Sequence, residues 1–260
     1  MKRREFIRKS SALVALPFLP FPDGRKEFKI RTVVLDAGHG GKDPGTIGKF
    51  MKEKDVVLNI ALKVGEYIEK NLPEVKVIYT RKTDKFIELN ERAAIANRNK
   101  ADLFISIHAN AISNPKIYGT ETWVMGLHKS EENLAVAKRE NSVILYEENY
   151  QEHYEGFDNS PESYIMFSLM QNAYLENSLN FADKIEKQFK NKAGRHSRGV
   201  KQAGFVVLYK TATPSVLVEA GFLSNVTEEK FLATENGQAL IASGIYRAFK
   251  EYKSEVESIH

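Results

Sequence analysis

Short runs of β-branched and aromatic residues recur along the chain from Arg31 onward, most of them followed by longer amphipathic stretches, and this alternation restricts the chain to an α/β fold. The runs are Arg31 to Asp36 (RTVVLD), Val75 to Thr80 (VKVIYT), Leu103 to His108 (LFISIH), Thr120 to Met125 (TETWVM), Gly204 to Leu208 (GFVVL) and Ser215 to Glu219 (SVLVE). Near-continuous apolar runs of this length suit strands covered on both faces. Helical spacing of apolar residues marks Lys54 to Lys70, Leu89 to Asn99, Glu131 to Tyr146, Tyr164 to Phe189 and Gly237 to Lys253. Helices between strands imply mostly parallel pairing with right-handed crossovers. The expected fold is a twisted, mostly parallel sheet of about six strands with helices on both faces, forming a single domain.

Polar residues fall at the ends of three of these runs. VVLD leads into Ala37-Gly38-His39-Gly40-Gly41, LFISI into His108-Ala109-Asn110, and VLV into Glu219-Ala220-Gly221. The carboxyl ends of parallel strands share one sheet edge, which is where open α/β folds bind ligands. His39, His108 and Glu219 are therefore expected to converge despite their distance in sequence. The chain has no cysteine, so a metal site must use histidine and carboxylate. Two imidazoles and a carboxylate at one edge suit a hydrolytic zinc centre, which keeps a position for water and a base nearby. The best further ligand is Glu53, at the start of the helix that follows the glycine-rich turn Gly38 to Gly45. The positive end of that helix favours its ionised form. The turn lacks both the dinucleotide spacing and the P-loop lysine pattern, which argues against a phosphate site. His128, His153, His196 and His260 lie in polar surroundings and read as surface residues.

The formal net charge of +4 resides in the first twenty residues, where Lys2, Arg3, Arg4, Arg8 and Lys9 face Glu5 alone. The rest of the chain is formally neutral, so no nucleic-acid partner is expected. A basic start followed by the apolar stretch Ala12 to Leu19 has the polarity order of a signal peptide and is too short to span a bilayer, which takes about 20 residues. Arg3-Arg4-Glu5-Phe6-Ile7 resembles the twin-arginine export signal. Residues 1–27 are read as this leader and 28–255 as the catalytic domain. Export to the periplasm or cell envelope follows, with no stable membrane anchor, since there is no cysteine to carry a lipid.

The stretch YEENYQEHYEGFDNSPES, Tyr146 to Ser163, is acidic and aromatic and has no clear periodicity. A connection of that length usually forms a lid, a regulatory segment or a disordered loop.

Five blocks of this sequence resemble, in order, the zinc-dependent N-acetylmuramoyl-L-alanine amidases known as amidase 3. They are VVLDAGHGGKDPGTIG (Val33 to Gly48), EKDVVLNIALKV (Glu53 to Val64), YTRKTDKFIELNERAAIAN (Tyr79 to Asn97), FISIHANA (Phe104 to Ala111) and PSVLVEAGFLSN (Pro214 to Asn225). The resemblance implies one zinc ion bound by His39, Glu53 and His108, with Glu219 as the catalytic carboxylate. It implies peptidoglycan as substrate, cut at the amide between N-acetylmuramic acid and L-alanine of the stem peptide. Arg92 and Asn110 are candidates for positioning substrate or supporting the ligands. The long span between His108 and Glu219 resembles the insert of cell-separation amidases, in which a helix covers the zinc until an activator with an inactive LytM-type peptidase domain withdraws it. By that likeness a region at about 140–163 is expected to occlude the cleft, with Glu147, Glu148, Glu152 or Glu155 supplying a carboxylate to the metal. A catalytically silent wall-binding regulator and a zinc hydrolase of another amide are the competing readings.

Overall fold

The computed structural model describes residues 29–148, 152, 154, 160 and 174–259. Its sheet has six strands: β1 (Thr32–Ala37), β2 (Lys76–Tyr79), β3 (Leu103–Asn110), β4 (Thr120–Met125), β5 (Ser197–Ala203) and β6 (Ser215–Phe222). Their spatial order is β2-β1-β3-β6-β4-β5. All neighbours pair in parallel except β4 with β6, which is antiparallel. That one reversal brings the beginnings of β4 and β5 to the edge where β1, β3 and β6 end.

Side chains of the central strands alternate between two cores, as the pleat requires. Val33, Leu35, Ile105, Val216 and Val218 face one core, which α1 (Glu53–Asn71), α4 (Leu175–Lys192) and α7 (Glu235–Ile259) complete with Ile60, Val64, Phe181, Ile185, Ile245 and Phe249. Val34, Phe104 and Leu217 face the other, closed by α2 (Leu89–Arg98), α3 (Glu131–Asn141) and the short α5 (Val206–Tyr209). Burial on both faces explains why the strands read as continuous apolar runs. A further short helix, α6 (Val226–Ala233), is capped by Asn225, whose Oδ1 accepts from the backbone of Thr227 and Glu228. Among the described residues, no helix is long and apolar enough to cross a membrane.

Two expectations are corrected. Gly204 to Leu208 is not a strand: Phe205, Val206 and Leu208 turn into α5 and fill the second core, while Asn141 brackets the turn by donating to Gly204 O and accepting from Val206 N. The strand lies just upstream, in SRGVKQA, whose half-exposed edge position needs no apolar run. The helix expected over Glu131 to Tyr146 ends at Asn141 and continues as a 3-10 turn, Ser142–Tyr146. Of the helix expected from Tyr164, the residues before Tyr174 lie outside those described, as do His153, Glu155 and most of the acidic stretch.

Candidate metal centre

The glycine-rich turn does two things at the end of β1. Its tight backbone places His39 in the left-handed region, φ 59°, unusual for a residue with a side chain. It also leads the chain back to α1, because Thr46 O and Pro44 O accept the first helical N–H groups, of Glu53 and Lys54. Gly38 is required for space: a Cβ there would lie 2.4 Å from the His108 ring.

The side chains of His39, Glu53, His108 and Glu140 meet in one buried group whose ligand atoms all lie within 4.8 Å of one another. His39 Nε2 is 3.0 Å from Glu53 Oε1 and 3.3 Å from Glu140 Oε2. His108 Nδ1 is 3.2 Å from Glu53 Oε1 and 3.0 Å from Glu140 Oε2. Adjacent ligand atoms of a tetrahedral zinc site with bonds of 2.0–2.1 Å stand about 3.3 Å apart, so these spacings fit the ion. Hydrogen bonding tells the same story. Among the described residues, the buried His39 Nε2 and Glu140 Oε2 have no hydrogen-bond partner despite their close neighbours. The outward nitrogen, His39 Nδ1, is paired with Asp43 Oδ2 at 2.7 Å, the carboxylate support that metal-binding histidines carry. Glu53 is held by Ala109 N on Oε1 and Thr46 N on Oε2.

Glu219 is fully buried beside this group, in register with His108 on β3 and with Glu121 on β4. Neither carboxylate oxygen has a hydrogen-bond partner among the described residues, and Arg139 Nη2 stands 3.6 Å away. Burial, with the Glu140 carboxylate adding to it, raises the Glu219 carboxyl well above its ordinary range. Burial acts the same way on Glu140, but Arg139 and His108 overcome it and hold that carboxyl well below its usual value.

Glu140 comes from α3, and together with Arg139, Val143 and Tyr146 it walls a cavity of about 170 Å³ that also borders His39 and Glu53. Of the other expected carboxylates, the described ones, Glu147, Glu148 and Glu152, do not reach this point. Glu147 accepts from Leu89 N and from the Tyr154 hydroxyl instead, and Glu148 and Glu152 are exposed. Sequence reasoning missed Glu140 because it looked in the irregular stretch beyond the helix. The available signal was a charged residue three positions after Ala137, on the face by which α3 enters the core. Arg92 is buried, and its guanidinium is taken up by Asp36 and the carbonyls of Ala37 and His39. Asn110 is also buried and donates to Glu121.

Known proteins share this fold and much of this sequence. Residues 33–251 match the Amidase_3 family model, described as N-acetylmuramoyl-L-alanine amidase. The amidase AmiA of Escherichia coli K12 is 37% identical over 236 residues, 89% of this chain and 79% of that protein. AmiC of Escherichia coli O6:H1 is 36% identical over 228 residues, and this chain spans about half, 52%, of its length. The crystal structure of an N-acetylmuramoyl-L-alanine amidase from Clostridium difficile 630 superposes with a TM-score of 0.65 at 27% identity, covering 86% of this chain and 97% of that one.

Proposed function

This chain belongs to the N-acetylmuramoyl-L-alanine amidase family, and from that premise we propose that it is a zinc hydrolase of peptidoglycan, held closed by its own helix α3. The reaction is hydrolysis of the amide between the lactyl group of N-acetylmuramic acid and the L-alanine of the stem peptide. The observation that carries the metal reading is the convergence of His39, Glu53 and His108 beside the buried Glu219.

His39 Nε2, His108 Nδ1 and Glu53 Oε1 would hold the zinc, which when bound would supply Lewis acidity to the amide carbonyl and acidify water. The chain's own groups do the rest. Glu219, with a raised pKa and two unpartnered oxygens, accepts a proton from water and delivers it to the departing alanine nitrogen. Asp43 fixes the tautomer of His39, so that Nε2 and not Nδ1 faces the site.

Catalytic zinc sites keep three protein ligands and one open position, whereas four protein ligands make a closed, structural site. Glu140 supplies the fourth. Arg139 lies 3.6 Å from Glu219 and donates to Ala111 O, and Glu132, about two helix turns earlier on α3, approaches Arg198 at 3.4 Å. These contacts support an inhibited resting form in which α3 fills the place of substrate. An activator of the LytM type would draw α3 away, and residues 1–27 would export the chain, by the twin-arginine route, to the envelope where daughter cells separate.

Digesting purified peptidoglycan with and without a chelator, using the wild type and Glu140→Ala, tests the reading by product mass. Free stem peptides that vanish on chelation are expected. Products cut elsewhere, or release insensitive to chelation, would overturn it.

A further inference from the structure

Two arginines lie buried directly behind the ligand group, with only 4% of Arg81 and 1% of Arg92 exposed. Arg92 donates from Nη1 to Asp36 Oδ1 and Ala37 O, both at 2.7 Å, and from Nη2 to His39 O at 2.8 Å. Arg81 donates from Nε to Ala37 O at 2.9 Å and from Nη2 to Gly38 O at 2.7 Å. Three successive carbonyls of the ligand-bearing turn are thus gripped by two guanidiniums. This is the turn in which His39 adopts its left-handed backbone, a conformation that surrounding structure has to enforce.

The same pair reaches the other two ligand segments. Arg81 Nη2 also donates to Lys54 O, the carbonyl next to Glu53, at 2.8 Å. Asp36, the partner of Arg92, accepts on Oδ2 from Ser106 Oγ at 2.7 Å, two residues before His108 on β3. The three segments that carry His39, Glu53 and His108 are therefore tied to one buried Asp36–Arg92–Arg81 assembly, through the Ala37 carbonyl that both guanidiniums share. Two buried cations for one buried carboxylate is a costly arrangement for stability alone. Burial and the neighbouring Arg92 charge lower the Arg81 guanidinium to about 10, still charged at neutral pH.

We propose that Arg81 and Arg92 are positioning residues that pre-set the metal site, holding the His39 backbone and the flanks of Glu53 and His108 in the ligating arrangement before the ion arrives. Neither touches substrate. The inference rests on the reading of His39, Glu53 and His108 as metal ligands. A lysine at either position keeps the charge and loses the fork that spans two or three carbonyls.

The test measures zinc affinity of the metal-free protein, by competition with a chromophoric chelator, in the wild type, Arg81→Lys and Arg92→Lys. Thermal unfolding is followed with and without zinc. Lys184→Met, which cuts the ion pairs from α4 to Glu251 and Glu255 on α7, is the control for lost stability remote from the site. The arginine variants should fold and bind zinc about 10- to 100-fold more weakly. Their gain in melting temperature on zinc loading should shrink, while Lys184→Met melts lower at wild-type zinc affinity. Should Arg92→Lys fail to fold, Arg81→Lys retains the Asp36–Arg92 pair and decides the matter. Wild-type zinc affinity in folded arginine variants, with metal-free and loaded forms destabilised equally, would leave the arginines a structural role only and overturn the inference. A wild type that takes up no zinc would overturn the metal reading itself, and the inference with it.

Discussion

Glu140 Oε2 lies 3.0 Å from His108 Nδ1, which joins a residue of helix α3 to the end of a central strand. The contact buries a carboxylate beside the nitrogen with which His108 would bind the metal. It also makes α3 part of the site, since a helix that supplies a fourth ligand removes the position that hydrolysis needs.

Replacing Glu140 by alanine should therefore open the site. Release of stem peptides from purified sacculi is expected to rise on the order of tenfold or more, the gain available when an active form populated at a few per cent becomes dominant. A folded Glu140→Ala protein with unchanged or lower activity would remove α3 as an inhibitor.

Glu219 and His39 should separate under mutation. Glu219→Ala keeps stoichiometric zinc and loses roughly a hundred- to ten-thousand-fold in kcat, the range for a lost general base. His39→Ala loses metal and turnover together. Zinc content by atomic absorption and kcat on one protein batch distinguish the two; substantial hydrolysis by Glu219→Ala would refute its assignment.

Glu186 offers a pH test at a carboxyl outside the ligand group. Its carboxylate, on α4, accepts from the hydroxyls of Thr120, Thr122 and Ser197, and burial raises its pKa. The folded state therefore holds the proton more tightly than the unfolded state, so stability from this group is full below about pH 4 and declines as pH rises through the raised value. Glu186→Gln removes that decline. Its melting temperature should exceed the wild type's near pH 7, with the difference closing towards pH 4; a difference independent of pH would contradict the shift.

Phe181 is fully buried between α4 and α7, with its ring 5.2 Å from that of Tyr252. Phe181→Ala should cost about 3–5 kcal/mol in urea unfolding. Activity well below the melting temperature should persist, because the lost contact supports the helical layer and not the ligand edge.

Much of this site was legible in the chain. The ends of RTVVLD, LFISIH and SVLVE carry or lead into His39, His108 and Glu219 because a parallel sheet collects such ends at one edge, and a near-continuous apolar run announces itself locally. Glu53 was legible for a related reason: a glycine-rich turn can only lead back over the strand it leaves. SRGVKQA was not, since an edge strand buries one side at most and shows no apolar run. GFVVL misled because a short apolar run looks the same in a strand and in a buried helical turn.

The sequence by itself determined the fold class, the two histidines and two glutamates of the edge, and the exclusion of thiol chemistry, because each depends on local pattern or composition. Tertiary structure alone decided that Glu140 completes the ligand group, that Glu147 is engaged by Leu89 and Tyr154, and that Arg81 and Arg92 grip the turn from behind. Most of those relationships join residues far apart in the chain, and only the packing of α3 and α2 against the sheet sets which polar groups meet.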